Sequence, residues 1–71
     1  MNMENISRTQ IEFAIDERII GKNAERNRAI LKRRLIDGIT YEQIAEEFDL
    51  SVKQVRNIVY KAEAVLFKHI K

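Results

Sequence analysis

The chain has 71 residues, of which 45% are hydrophobic and 34% are charged. That balance is typical of a folded helical protein and is too apolar for a disordered tail, and the length predicts a single domain over residues 1–71. The absence of cysteine excludes disulfides and thiolate metal sites. Because no apolar run could span a bilayer and no signal peptide pattern begins the chain, we expect a cytoplasmic protein without membrane contact.

Charge is distributed unevenly, although the formal net charge is only +2. Residues 1–25 hold three basic and five acidic side chains, whereas the remainder holds ten basic and six acidic ones. A modest basic surplus confined to one part of a small chain favours specific DNA binding over charge-driven coating of DNA. The acidic first part would repel DNA and therefore faces something else.

Two glycines, Gly21 and Gly38, divide a chain that contains no proline. The first predicted helix covers residues 8–20, is capped by Ser7 or Thr9, and ends at Gly21. Together with its cap, this helix makes up the N-terminal part of the domain, residues 1–22. Its apolar residues recur at helical spacing: Ile11, Ala14, Ile15 and Ile19.

The second predicted helix begins after Asn23, whose side chain should accept a hydrogen bond from a first-turn amide, and it is closed by Gly38. Its apolar side consists of Ala24, Ile30, Leu31 and Leu35. The rest of its surface is basic: Arg26, Arg28, Lys32, Arg33 and Arg34. Such a surface is either solvated or in contact with phosphate, and the sequence leaves both open.

Two more helices are predicted, Tyr41–Phe48 capped by Thr40 and Val52 to about Ile70 capped by Ser51. Only Asp49 and Leu50 lie between Phe48 and the cap Ser51. We therefore predict an all-α, four-helix domain with a helix-turn-helix near its C-terminal end, from about residue 41 to residue 60, and a long last helix.

A helix-turn-helix requires a small residue where its two helices cross, and Ala45 meets that requirement. Asp49 stands where the turn needs a left-handed residue, a conformation that Asp tolerates. The apolar residues expected between the helices are Ile44, Phe48, Leu50, Val55 and Ile58. The alternative is a generic helical hairpin.

The polar side of the last helix argues against a plain hairpin. Lys53, Gln54, Arg56 and Asn57 are the residue types that recognise base edges in the major groove. Positions 53, 56, 57 and 60 share one side of the helix, and 55, 58, 59 and 62 share the other. We predict that this polar side enters the major groove.

From about Arg26 onward, the chain resembles the promoter-reading fourth region of bacterial sigma factors of the sigma-70 class. The resemblance lies in residues 39–48 (ITYEQIAEEF), followed by 50–52 (LSV) and by Val55 and Arg56. The part of the chain assigned to it is residues 23–71. Similar motifs occur in LuxR-type regulators. It implies that the last helix reads promoter or operator bases, with Thr40 and Tyr41 near phosphate. It also implies that six side chains face DNA: Ser51, Val52, Lys53, Arg56, Asn57 and Tyr60. We add Lys61 to this predicted set.

The chain departs from this family in several places. Nothing upstream resembles the other sigma regions, so we do not expect promoter melting. Asp49 replaces the usual glycine, and Arg33 occupies an often apolar position. An apolar stripe continues beyond Ala62, and it either packs on the first helix or pairs with a second chain. We predict a dimer contact there: Val65, Leu66, His69 and Ile70.

Catalysis is not expected. His69 is the only histidine, so we predict no metal site and no cofactor. The carboxylates Glu42, Glu46 and Glu47 are expected to be solvated, and neither a phosphate-binding loop nor an activated nucleophile is present.

The leading hypothesis is a homodimeric transcriptional regulator that binds double-stranded DNA, from a phage, plasmid or other mobile element. The main alternative is a protein-interaction module that copies the fourth sigma region and docks on RNA polymerase. A third possibility is a small DNA-packaging or recombination subunit using the same helix-turn-helix.

Overall fold

The computed structural model describes the backbone of residues 8–70 and the side chains of residues 8–67. Four helices follow one another: α1 (Arg8–Arg18), α2 (Ala24–Leu35), α3 (Tyr41–Phe48) and α4 (Val52–Ile70). No strand occurs within the described range. The predicted all-α, four-helix fold is confirmed.

One hydrophobic core receives side chains from all four helices. Ile15 of α1, Ile30 of α2, Ile44 of α3 and Val59 of α4 have no solvent-exposed surface. Burying an aliphatic side chain of this size stabilises the fold by about 1.5–3 kcal/mol, so these few residues dominate the stability of a small chain. The remaining members of the core are Leu31, Ala45, Val55, Ala62 and Leu66.

The burial of Leu66 corrects one prediction. Leu66 is 1% exposed because it packs into the core of its own chain, so it supplies no surface for a dimer contact. Val65, its neighbour on α4, is 42% exposed. The side chains of His69 and Ile70, also predicted at a dimer contact, lie outside the described residues.

The connection between α1 and α2 differs from the prediction. α1 ends at Arg18 instead of residue 20, and Gly21 lies beyond it with a φ of 92°. The predicted cap by Asn23 is wrong: the residue has φ 64° and ψ 21°, and its side chain makes no capping hydrogen bond. A capping side chain normally reaches the first-turn amides from an extended backbone, which Asn23 does not have. Thr9 lies inside α1, and Ser7 lies outside the described residues.

The basic side chains of α2 are used largely within the chain. Lys32 pairs with Asp16 of α1 at 3.0 Å, and Arg33 pairs with Glu47 of α3. Arg28 donates from Nε to the carbonyl oxygen of Ile19 at 2.7 Å. Exposed ion pairs add little stability each, but together these contacts join α2 to both of its neighbours in sequence. The surface that was expected to be solvated or bound to phosphate is thus partly occupied by contacts within the fold.

Beyond α2 the chain turns through Gly38, which has a φ of 72°, and the Ile39 amide donates to the Arg33 carbonyl oxygen at 3.0 Å. A Cβ atom at Gly38 would meet no atom within 4 Å, so a larger residue there would suffer from backbone strain alone.

We expect Gly38→Ala to lower the free energy of unfolding by about 1–2 kcal/mol, because an L-residue is strained at this φ. Thermal unfolding followed by circular dichroism measures the loss as a drop of several degrees in Tm. Gly38→Asn is the matched control, and it should lose less because Asn tolerates the left-handed region. Equal losses for Ala and Asn would contradict this account.

Candidate nucleic-acid interface

The N-terminus of α3 is capped as the sequence predicts. Thr40 has an extended backbone, with φ −68° and ψ 156°, and its Oγ1 atom accepts a hydrogen bond from the Gln43 amide at 3.2 Å. Capping of this kind satisfies one of the amides that lack a partner within the helix. The start of α3 is therefore fixed relative to the segment that leaves α2.

A tight turn follows α3. Asp49 has φ 58° and ψ 45°, the left-handed conformation expected of it, and the Leu50 amide donates to the Ala45 carbonyl oxygen at 2.9 Å. Ala45 itself is 5% exposed, and Ile44 beside it is fully buried. The small side chain lets the two helices approach closely at the place where the chain reverses.

The start of α4 is held by a reciprocal pair of hydrogen bonds. The Ser51 Oγ atom accepts from the Gln54 amide at 3.0 Å, and the Gln54 Oε1 atom accepts from the Ser51 amide at 2.9 Å. This is a capping box, a motif recognisable as Ser or Thr followed three positions later by Glu or Gln. From the sequence, Ser51 was predicted as the cap and Gln54 as a residue that contacts bases. The second hydrogen bond of the pair was therefore missed, although the spacing of Ser51 and Gln54 matches the capping-box pattern.

The exposed and buried sides of α4 separate as predicted. Val55 and Val59 are fully buried, and Ala62 is 7% exposed. Tyr60 is 55% exposed. The other predicted DNA contacts on this helix are exposed, apart from the half-buried Val52: Lys53, Gln54, Arg56, Asn57 and Lys61. The structure thus brings these side chains together on the solvent side of the first half of α4.

Tyr41 joins α3 to the helices on either side of it in the chain. The Cζ atom of Arg34 lies 4.4 Å from the centroid of the Tyr41 ring, and that of Arg56 lies 5.7 Å from it. Arg34 also donates from Nη1 to the Ile39 carbonyl oxygen at 3.2 Å. Both guanidinium groups lie within the range of a cation–π interaction. Arg34 was missed as a member of this cluster, because no sequence spacing shows that residues of α2, α3 and α4 meet.

Three acidic side chains lie on α3. Glu42 and Glu46 are exposed on α3, as expected, whereas the carboxylate of Glu47 is paired with Arg33. Because α3 has no basic residue, the described cationic side chains of the α3–turn–α4 unit lie on α4, and Arg34 of α2 joins Arg56 beside Tyr41 in what we call the Tyr41 cluster.

The described residues include a surface depression but neither a metal-binding cluster nor a membrane-spanning helix. Among the described residues, no group of three or more potential ligands could hold a metal ion. A surface depression of about 410 Å³ at the start of α2 is lined by residues of the α1–α2 connection and of α2 itself, and by none from α3 or α4. No described helix has both the length and the apolar composition required to cross a membrane.

The α3–turn–α4 unit, with its small crossing residue, left-handed turn and exposed polar side, defines a DNA-binding helix-turn-helix domain. The family model of sigma-70, region 4, matches residues 24–66, which is more than half of the chain. The chain belongs to this family, as the resemblance predicts. No curated protein and no solved structure matches the chain.

We expect Asp49→Gly to raise Tm by up to about 5 °C, because glycine adopts the left-handed conformation at Asp49 without steric strain. Asp49→Val should lower the free energy of unfolding by about 1–2 kcal/mol, because a β-branched side chain is strained at this φ. Thermal unfolding of the three proteins under one set of conditions provides the comparison. A glycine variant less stable than the parent would show that the Asp49 side chain contributes more than its backbone strain removes.

Proposed function

We infer that this chain is a transcriptional regulator that binds a specific duplex site by inserting the first half of α4 into the major groove. The observation that carries the proposal is the separation of α4 into two sides. Val55 and Val59 anchor the helix in the core, and Lys53, Arg56 and Asn57 project from the opposite side directly after the turn. A helix anchored in this way presents its polar side chains without losing core contacts.

The chemistry of these side chains suits base recognition. Lys and Arg donate to guanine, Asn pairs with the edge of adenine, and each well-formed bidentate contact discriminates by about 1–3 kcal/mol against the wrong base. Thr40, Tyr41, Ser51 and Lys61 would contact phosphate and set the register on the duplex. This role requires binding alone, with no catalysis and no cofactor, and it places the protein with DNA in the cytoplasm.

The proposal includes a homodimer. Val65 on the second half of α4 is an exposed apolar residue, 42% accessible, and a partner chain would cover it together with the neighbouring end of the helix. A two-fold dimer would bind half-sites about one helical turn of DNA apart. The origin in a phage or other mobile element stays a prediction.

One observation favours a second candidate, docking on RNA polymerase. Phe13 is 63% exposed on α1, and Glu17, one helical turn later, is also exposed. An exposed aromatic ring beside a carboxylate suits contact with a protein and repels DNA. A regulator could use α1 for polymerase and α4 for DNA, whereas a pure docking module would use α1 alone.

We expect Lys53→Ala, Arg56→Ala to weaken binding to random duplex DNA by at least about tenfold and to make the salt dependence shallower, because two cations leave the interface. Fluorescence anisotropy at about 50 mM and about 200 mM salt measures both effects. The matched control is Arg18→Ala, Lys22→Ala, which removes the same charge from exposed residues outside α3 and α4 and should bind as the parent does.

If the parent binds no duplex even at the lower salt concentration, the proposed function is wrong. Retention of RNA polymerase by the same parent protein, lost in Phe13→Ala, would then support the docking module. If both double variants lost affinity for DNA equally, binding would depend on the net charge of the protein alone, and α4 would have no particular role.

We expect the parent to sediment as a dimer at micromolar concentration and Val65→Asp to sediment as a folded monomer, because burying a carboxylate at an apolar interface is unfavourable. Phe13→Asp makes the same kind of change on α1 and should remain dimeric. A parent that is monomeric at this concentration and protects a single half-site in footprinting would exclude the dimer.

A further inference from the structure

The side chain of Gln54 has two possible uses that compete with each other. To recognise adenine, its amide group must present both the oxygen and the NH₂ group to the base edge. In the structure, the side-chain oxygen of Gln54 already accepts from the backbone N–H of Ser51 at 2.9 Å. The backbone N–H of Gln54 in turn donates to the Ser51 hydroxyl oxygen at 3.0 Å. A bidentate contact with a base would compete for the oxygen that accepts from Ser51 and would weaken or break this reciprocal pair.

Breaking the pair would disturb the part of the chain that orients the helix. The first amides of a helix have no partners inside it, and the capping box supplies two. Here the box lies directly after the left-handed Asp49 and the Leu50 amide that donates to Ala45. The turn and the first residues of α4 are thus joined by consecutive hydrogen bonds, and Lys53 lies inside the segment that the box closes.

We propose that Gln54 is a positioning residue that holds the start of α4 at the angle needed for DNA recognition, and that it does not read a base. This inference rests on the proposed function. It assigns discrimination to the exposed residues whose side chains do not cap the helix, and it makes Ser51 and Gln54 one functional unit.

The two roles predict different base-preference profiles. After an operator has been selected from random duplexes, binding of Gln54→Ala is measured on the operator and on every single base-pair variant. A positioning role predicts about a fivefold loss on the operator and weaker discrimination at all recognised positions, with no position erased. A base-reading role predicts that preference vanishes at one base pair and persists elsewhere. Asn57→Ala is the control for that second pattern.

Rescue by Gln54→Glu provides an independent arm, because glutamate also closes a capping box but cannot donate to adenine. We expect it to restore the preference profile of the parent, with an affinity deficit that shrinks as salt is raised. Without DNA, the exchange protection of the Ser51 amide proton should fall in the Ala variant and return in the Glu variant. Ser51→Ala, Gln54→Ala should lose little more than either single change, because both residues serve one motif.

A preference erased at one base pair in Gln54→Ala, or a new preference for cytosine in Gln54→Glu, overturns the inference while leaving DNA binding intact. Unchanged Ser51 protection in the Ala variant overturns it as well. A parent that binds no duplex at all is a distinct result, because it removes the proposed function first and this inference with it.

Discussion

The recognition surface depends on how the chain passes from α3 to α4 within three residues. Asp49 adopts the left-handed conformation, the Leu50 amide returns to the Ala45 carbonyl oxygen, and Ser51 begins the next helix. Any bulk at Ala45 or loss of the turn would separate the two helices. Because α4 also packs on α1 and α2, a change in its direction would be transmitted to the core as well as to the exposed side.

Within this small fold, one helix serves two purposes along its length. The inner side of α4 supplies Val55, Val59 and Leu66 to the core, while the outer side of its first half carries the polar residues. Core packing therefore restrains the orientation of these polar side chains. Because α4 is part of the core, its capping contacts and its core contacts together determine how its outer side is oriented.

The basic residues of α2 and those of α4 differ in their contacts, a difference that composition does not show. Four of the five in α2 contact the backbone or carboxylates of neighbouring segments, as Arg28 and Lys32 do, or the Tyr41 ring, as Arg34 does. Among the described side chains of α4, Lys53, Arg56 and Lys61 are exposed. Arg56 of α4 is exposed and, like Arg34 of α2, lies over the Tyr41 ring, with its Cζ atom 5.7 Å from the ring centroid. The number of basic side chains that make no contact within the fold is thus smaller than the basic surplus of the sequence suggests.

The sequence by itself determined the four helices, the caps Thr40 and Ser51, and the two sides of α4, because helix periodicity and capping are local properties. The tertiary structure alone decided that Leu66 enters the core, since its burial depends on how α4 lies against the other helices. The meeting of Arg34 and Arg56 at Tyr41 was decided in the same way. So was the use of the α2 cations: whether an arginine meets phosphate, solvent or a carbonyl oxygen depends on packing between segments that are distant in sequence.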